Sequence, residues 1–280
     1  VAPVIWDIDG RRPAAGGRSA DFTGDDDAVV RPVRGKKTPE TGGRAILVGT
    51  LADLDRLVRS LGLAAAPPLS LFTSRLYVRA AAGADTVSLV GPIVGAPYAA
   101  MVLETLFAWG VRQFFFFGWC GAISPAVAIG DIVVPTAALI DEGTSAHYDA
   151  PRLPPALSHP TPAAVDEIRR LLRSHQGRLH AGRVWTTDAI FRETPRKIKG
   201  FRDKGALAVD METSAIFSVA RFRGADIAVI LVVSDELFSL KWVPGFKTEA
   251  FAAGRALASE VIERLCRPRS TRSSSEEPQS

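Results

Sequence analysis

Two short apolar runs that end on carboxylates constrain this chain more than any other feature. The first, Ala206-Leu-Ala-Val-Asp-Met-Glu212, leads into a helical stretch that closes at Gly224; the second, Ile227-Ala-Val-Ile-Leu-Val-Val-Ser-Asp235, follows directly. A strand, a helix and a second strand in that order are the alternation of an α/β fold. The chain is therefore expected to build an α/β sheet with helices on its two sides. Ligands of open α/β sheets collect beyond the carboxyl ends of the strands, so Asp210, Glu212 and Asp235 are candidates for holding something polar.

The same alternation runs through most of the chain. Ala45-Ile-Leu-Val48 reads as a strand that turns at Gly49, and Leu51, Leu54, Leu57, Val58 and Leu61 follow at helical spacing up to Gly62. Thr86–Val90 is a second strand, entering Gly91-Pro-Ile-Val-Gly95-Ala-Pro97, with a helix from Tyr98 to Trp109 closed by Gly110. Gln113–Phe117 is apolar after its first residue, as a central strand covered on both faces should be, and Gly118-Trp-Cys-Gly-Ala122 is expected to be a glycine turn at its end. Ile129-Gly-Asp131-Ile-Val-Val-Pro135 and Gly182–Thr186 read as further strands, and Asp141–Tyr148 as a polar loop. Thr161 with Pro162 caps a helix whose buried stripe is Val165, Ile168, Leu171 and Leu172, and a last helix spans Thr248 to Cys266. The expected architecture is a three-layer α/β/α sandwich around a central mixed, largely parallel sheet.

Composition narrows the function. With 280 residues, 47% of them hydrophobic, the chain can bury one large core. We divide it into an irregular N-terminal arm, 1–43, one body, 44–266, and a disordered Ser/Glu-rich tail, 267–280. The net charge of +4 is dispersed: residues 1–44 carry eight Lys/Arg and seven Asp/Glu, 267–280 carry three and two, and the body is left at +2. No face concentrates positive charge, so no nucleic-acid partner is expected. Cys120 and Cys266 form no CxxC pair, which suits a reducing compartment. No apolar run approaches the roughly 18 residues of a membrane span. The acids Asp25-Asp26-Asp27 do not fit a signal peptide, and a cytoplasmic location is expected. His147, His159, His175 and His180 lack metal-ligand spacing, Ser145 sits in no Gly-x-Ser-x-Gly elbow, and Gly91-Pro-Ile-Val-Gly95 lacks Walker and dinucleotide spacing.

Five segments in order carry a resemblance. Gly118-Trp-Cys-Gly121, Ile129-Gly-Asp-Ile-Val-Val-Pro135, Thr187-Asp-Ala-Ile-Phe191, Val209-Asp-Met-Glu212 and Ser234-Asp235 resemble the nucleoside phosphorylase and nucleosidase superfamily over about residues 45–266. Each segment is weak alone; together they are specific. The resemblance implies cleavage of the N-glycosidic bond of a small-molecule nucleoside, without metal or organic cofactor, in a homo-oligomer (dimer, trimer or hexamer).

It also assigns roles. Glu212 accepts hydrogen bonds from ribose hydroxyls, a task suited to two acceptor oxygens, and its charge stabilises an oxocarbenium-like transition state. Met211 forms an apolar floor under the sugar. Asp210 stands where the family usually has Glu, and a strand-end cap is its plain alternative. Cys120, Gly121 and Ser234 line the substrate. Asp235 marks the purine-acting branch, where it hydrogen-bonds the base at N7, a role that needs a carboxyl raised by an apolar setting. Ile190 and Phe191 belong to the base loop, with Phe191 as the wall against the base; a core Phe fits equally well.

Departures from the pattern bear on the acceptor. Phosphorylases hold phosphate with two arginines of their own chain. Here Phe116 stands at one of those positions, Trp119 replaces the hydroxyl residue of the turn, and Asp53 lies where the second arginine is expected. A lost guanidinium is not simply replaced. Water is therefore favoured as acceptor, with Asp53 or Asp55 to orient it. Phosphorolysis, with inorganic phosphate as co-substrate held by Arg75, is the alternative, and a nucleoside-binding descendant without turnover is the third reading.

Overall fold

The computed structural model describes residues 28–81, 85–148, 156–173 and 179–267. The acidic run Asp25–Asp27, most of the expected arm, His175 and all of the expected tail except Arg267 lie outside them.

In chain order the elements are β1 (Arg44–Val48), α1 (Leu51–Ser60), β2 (Leu69–Leu71), β3 (Ser74–Arg79), β4 (Val87–Gly91), α2 (Ala96–Ala108), β5 (Gln113–Ala122), β6 (Ile132–Asp141), β7 (Leu157–Ser158), α3 (Pro162–Leu172), β8 (Leu179–Thr187), α4 (Pro195–Asp203), β9 (Ala206–Asp210), α5 (Thr213–Arg223), β10 (Asp226–Glu236), β11 (Val243–Pro244) and α6 (Glu249–Leu265). The expected three-layer sandwich is present, and side-chain alternation along the strands builds it. Ala45, Leu47, Phe114, Phe116, Val229 and Leu231 share one core with α2 and α5. Ile46, Val48, Phe115, Phe117, Ile230 and Val232 share another with α1, α3 and α6. The pleat thus divides four consecutive phenylalanines between the two faces, and each is at most 1% exposed. No helix of the described residues is long and apolar enough to cross a membrane.

The sheet follows the order β11-β10-β6-β8-β9-β5-β1-β4-β3-β2, and β10 also pairs with β5. Strands β5, β10, β6, β8 and β9 therefore close on one another. Strand β5 is the hinge of this closure. Its first half pairs with β1 in parallel from Gln113 to Phe117, and its second half pairs antiparallel with β9 at Gly121 and Ala122. The expected glycine turn at 118–122 is thus a correction: the strand runs on to Ala122, paired with β10 over its whole length. Glycine serves close approach there, since a Cβ at Gly118 would meet the Phe116 ring at 2.5 Å and one at Gly121 would meet Leu237 Cδ1 at 2.5 Å.

Other expectations needed smaller corrections. The short edge strands β2 and β3 and the helix α4 were not anticipated. Thr161 occupies the N-cap of α3, but its hydroxyl accepts from Ile227 N at 3.1 Å instead of from an amide of its own helix. Residues 28–43 are irregular up to the start of β1, and the stretch is fastened to the body: Arg34 donates to Trp109 O at 3.1 Å, and Trp109 Nε1 donates to Val33 O at 3.1 Å.

Candidate active site

Strands β9 and β10 flank β5, so the two acid-bearing ends lie on either side of one strand. Gly121 is the pivot, paired with Val209 of β9 and with Asp235 of β10. Two strand spacings, roughly 10 Å, separate the flanking backbones at that level. A bulge makes Ser234 the extra residue between the pairs Val233–Cys120 and Asp235–Gly121, which turns Asp235 onto the face of Gly121. A Cβ at Gly121 would stand 3.1 Å from Asp235 Oδ2, so glycine leaves room beside that carboxylate.

Each acid has its own surroundings. Asp210 Oδ1 accepts from Thr186 Oγ1 at 2.7 Å, while Oδ2 takes the Thr213 amide at 2.9 Å and the Thr213 hydroxyl. It caps α5 and has little capacity left, although burial still raises its pKa. Glu212 is buried, and its Oε1 accepts from Gly95 N at 2.5 Å. Gly95 has φ of 83°, a left-handed conformation that favours glycine. Burial, reinforced by the neighbouring Asp210, pushes Glu212 up to about 8. Asp235 Oδ1 lies 2.6 Å from Ser234 Oγ, and Oδ2 accepts from Trp242 Nε1 at 3.0 Å; burial raises its pKa against both donors. Trp242 reaches back because β11 pairs antiparallel with the end of β10, folding residues 237–242 over it.

Cys120 is buried in the strand between the acids, and its thiol is pushed up first by burial, then by Asp210 and Asp235. One thiol thus senses acids of both flanking strands. Ser234 is buried, with its hydroxyl 3.2 Å from Cys120 O, and Met211 is half-buried. Ile190 and Phe191 stand at 52% and 96% exposure on a short 3-10 turn. The structure gathers Cys120, Gly121, Asp210, Glu212, Ser234 and Asp235, and leaves Phe191 projecting into solvent.

The other candidates are elsewhere. Asp53 is 1% exposed and fully engaged: Arg255 Nε donates to Oδ1 at 2.8 Å, and Trp119 Nε1 and Thr50 Oγ1 donate to Oδ2, each at 2.8 Å. Arg255 lies over the rings of Trp119 and Phe251, so this corner is an ion pair with a buried carboxylate, walled by aromatics. Arg75 is half-exposed on β3 and pairs with Asp55 at 3.5 Å. The Phe116 ring comes close to Gly49 and Gly118; a Cβ at Gly49 would lie 3.5 Å from it. A cavity of about 780 Å³ lies along α2 and α5, between residues such as Phe72, Met101, Glu104, His147 and Phe222. Neither Glu212 nor Asp235 lines it, so it is not the acid site.

Sequence reasoning missed Glu193, Trp242 and Arg255. For Glu193 a signal existed. Thr194-Pro195 is a helix start, and Thr194 does cap α4, accepting from Lys197 N. That start would have set Glu193 at the head of a helix beside the base loop. Trp242 and Arg255 carry no local signal.

Acid-bearing strand ends gathered around a central strand, in a mixed sheet that partly closes on itself, define an α/β protein. The sequence pattern of the phosphorylase superfamily matches residues 44–267, and the chain belongs to that superfamily. It is 31% identical over 144 residues to a guanosine phosphorylase of Halorubrum lacusprofundi, covering 51% of this chain and 58% of that protein. A DeoD-type purine nucleoside phosphorylase of Bacillus cytotoxicus is 29% identical over 158 residues, covering 55% and 65%. The chain thus spans less than two thirds of these curated relatives. Uridine phosphorylase from Vibrio fischeri ES114 superposes with a TM-score of 0.68 at 26% identity, covering 81% of this chain and 93% of that one. AMP nucleosidase from Bacteroides thetaiotaomicron, at 21% identity and a TM-score of 0.63, covers 80% and 90% and shares the fold.

Proposed function

We propose that this protein cleaves the N-glycosidic bond of a nucleoside, a purine nucleoside in preference, with water as acceptor. The observation that carries the reading is that β9 and β10, the strands whose ends lead to Glu212 and Asp235, meet on the two sides of β5 at Gly121, with both carboxyls raised in pKa and neither ion-paired among the described residues. Carboxyls left desolvated and uncompensated are expensive for stability and useful for chemistry.

Glu212 takes the ribose hydroxyls as an acceptor, exchanging water for ligand donors, and its charge opposes the positive charge that grows on the sugar. Gly95 N fixes the orientation of its carboxyl. Met211 lies next to Glu212 as the apolar contact for the sugar, and Asp235 faces the base. The purine preference rests on Ser234-Asp235 and on relatives named for guanosine and purine nucleosides.

Support for water comes from the opposite corner. Phe116 covers the glycines where a phosphate would need room and donors, and Arg255 spends its charge on Asp53. Asp53 is bound by three donors and 1% exposed, so it belongs to this closed corner and not to the acceptor. The second reading, phosphorolysis, is favoured by the phosphorylase names of the relatives, and Arg75 is its cation. Exposed apolar side chains such as Met101, Phe191 and Phe222 support a homo-oligomer, which light scattering would measure.

Base release from inosine, adenosine and methylthioadenosine, assayed with and without phosphate, tests the proposal. Release in either condition supports the hydrolytic reading, and release only with phosphate replaces it by the phosphorolytic one. Tight binding without release removes the enzyme altogether.

A further inference from the structure

A side chain from beyond β10 is built onto the acid at the end of that strand. Trp242 Nε1 donates to Asp235 Oδ2 at 3.0 Å, and three features hold the indole there. The backbone after it is tied to β10 by the pairs Glu236–Val243 and Asp235–Pro244 and by Gly245 N, which donates to Ser234 O at 2.9 Å. The backbone before it is tied to β5 by Leu237 N, which donates to Ala122 O at 2.8 Å. The ring leans on Phe246, with centroids 6.3 Å apart, and Phe246 rests in turn on Trp119 and Phe251. Trp242 nevertheless stays 62% exposed, so burial explains little of its placement.

The hydrogen-bond partners fit one form of Asp235 better than the other. Ser234 Oγ lies 2.6 Å from Asp235 Oδ1 and 3.2 Å from Cys120 O, and a hydroxyl has one proton to give. With Asp235 neutral and its proton on Oδ1, that oxygen donates to Ser234 Oγ and Ser234 donates to Cys120 O, so both contacts are met. With Asp235 ionised, Ser234 must turn its proton to Oδ1, and Cys120 O loses it. An indole N–H only donates, so Trp242 occupies a lone pair of Oδ2 in either form. Burial likewise favours the neutral acid, while the Ser234 and Trp242 bonds pull the other way.

We infer that Trp242 is a positioning residue for base departure, whose indole N–H stabilises the charge left on Asp235 when that acid gives its proton to the base. The inference rests on the glycosidic reading above. As the C1′–N9 bond breaks, its electrons go to the base and the Asp235 proton goes to N7, so the base leaves neutral. Asp235 becomes an anion: Trp242 already donates to Oδ2, and the Ser234 proton turns from Cys120 O to Oδ1. The acceptor oxygen bonds to C1′, and the proton it releases restores Asp235 through solvent, whether the acceptor is water or phosphate. A donor fixed in advance where charge develops needs no reorganisation, and its bond to a carboxylate is stronger than its bond to the neutral acid. Trp242 thus acts on the transition state more than on substrate binding.

Trp242→Phe keeps a ring against Phe246 and removes the donor. Wild type and variant are compared on inosine and on 7-methylinosine, whose base is already cationic at N7 and needs no proton. On inosine, kcat should fall roughly 10- to 100-fold with KM little changed; on 7-methylinosine, kcat should stay close to that of the wild type. Equal losses on both substrates would make Trp242 a structural part of its segment and overturn the inference, as would an unchanged kcat on inosine or a loss confined to KM. The methylated substrate doubles as the control for folding. If the wild type releases base from neither substrate, the glycosidic reading itself falls and takes this inference with it; if the wild type turns over and the variant shows no split between substrates, only the inference falls.

Discussion

Residues 116–121 of β5 border two regions that treat charge in opposite ways. Cys120 and Gly121 sit among Asp210, Glu212 and Asp235, acids held in an apolar setting with neutral donors for partners. Trp119, one residue earlier and on the other face, donates to Asp53, whose charge Arg255 neutralises directly. The contrast teaches how to separate function from architecture in one strand. Where every charge is matched, the arrangement serves stability; where carboxyls are desolvated and left without cations, the fold bears a cost that only a ligand recovers.

Substitutions can break that contrast. The largest effect is expected for Glu212→Ala, which should cut kcat/KM for base release by roughly 100- to 1,000-fold without lowering Tm. A variant that unfolds but retains its rate per folded molecule would assign Glu212 to the scaffold. Arg255→Ala is the mirror experiment. It strands the Asp53 charge, and denaturant titration should show a loss of about 3–5 kcal/mol, with kcat per folded molecule unchanged. A large fall in kcat at intact stability would place the ion pair in catalysis.

A pH series sharpens the comparison further. Glu212 is raised to about 8 in the folded chain, above the ordinary carboxylate value it has when unfolded. The native state therefore prefers the protonated form. Burial costs nothing below the unfolded value, and stability declines as pH rises toward about 8. Glu212→Gln should consequently be more stable than wild type at pH 9, by on the order of 2 kcal/mol, with the gap closing at pH 5. A constant gap in thermal melts would contradict the burial of this acid. An effect of similar size is expected for Trp119→Phe, which keeps the ring and removes one hydrogen bond to a charged acceptor, for a loss of about 1.5–3 kcal/mol in denaturant titrations. An unchanged midpoint would show that Arg255 and Thr50 alone satisfy Asp53.

Much of this was legible in the chain. Glu212 and Asp235 could be named because apolar runs ending on acids are local patterns, and Asp210 could be suspected as a cap for the same reason. Phe116 and Trp119 were readable as a change in the phosphate corner, since they stand at positions within a recognisable segment. Asp53 was misjudged as available because its partner, Arg255, lies 202 residues away. Phe191 looked like a wall for the base, yet no local property of a Phe tells whether the fold will cover it.

By itself the sequence determined the alternation of strands and helices, the division of Phe114 to Phe117 between two cores, and the strand ends that carry acids. These follow from side-chain period and turn chemistry, which act over a few residues. Tertiary structure alone decided that β5 bends from β1 to β9, that the Ser234 bulge turns Asp235 toward Gly121, and that Arg255 comes to rest on Asp53. Register, burial and charge pairing between distant segments are properties of packed surfaces, and a surface exists only once the chain has folded.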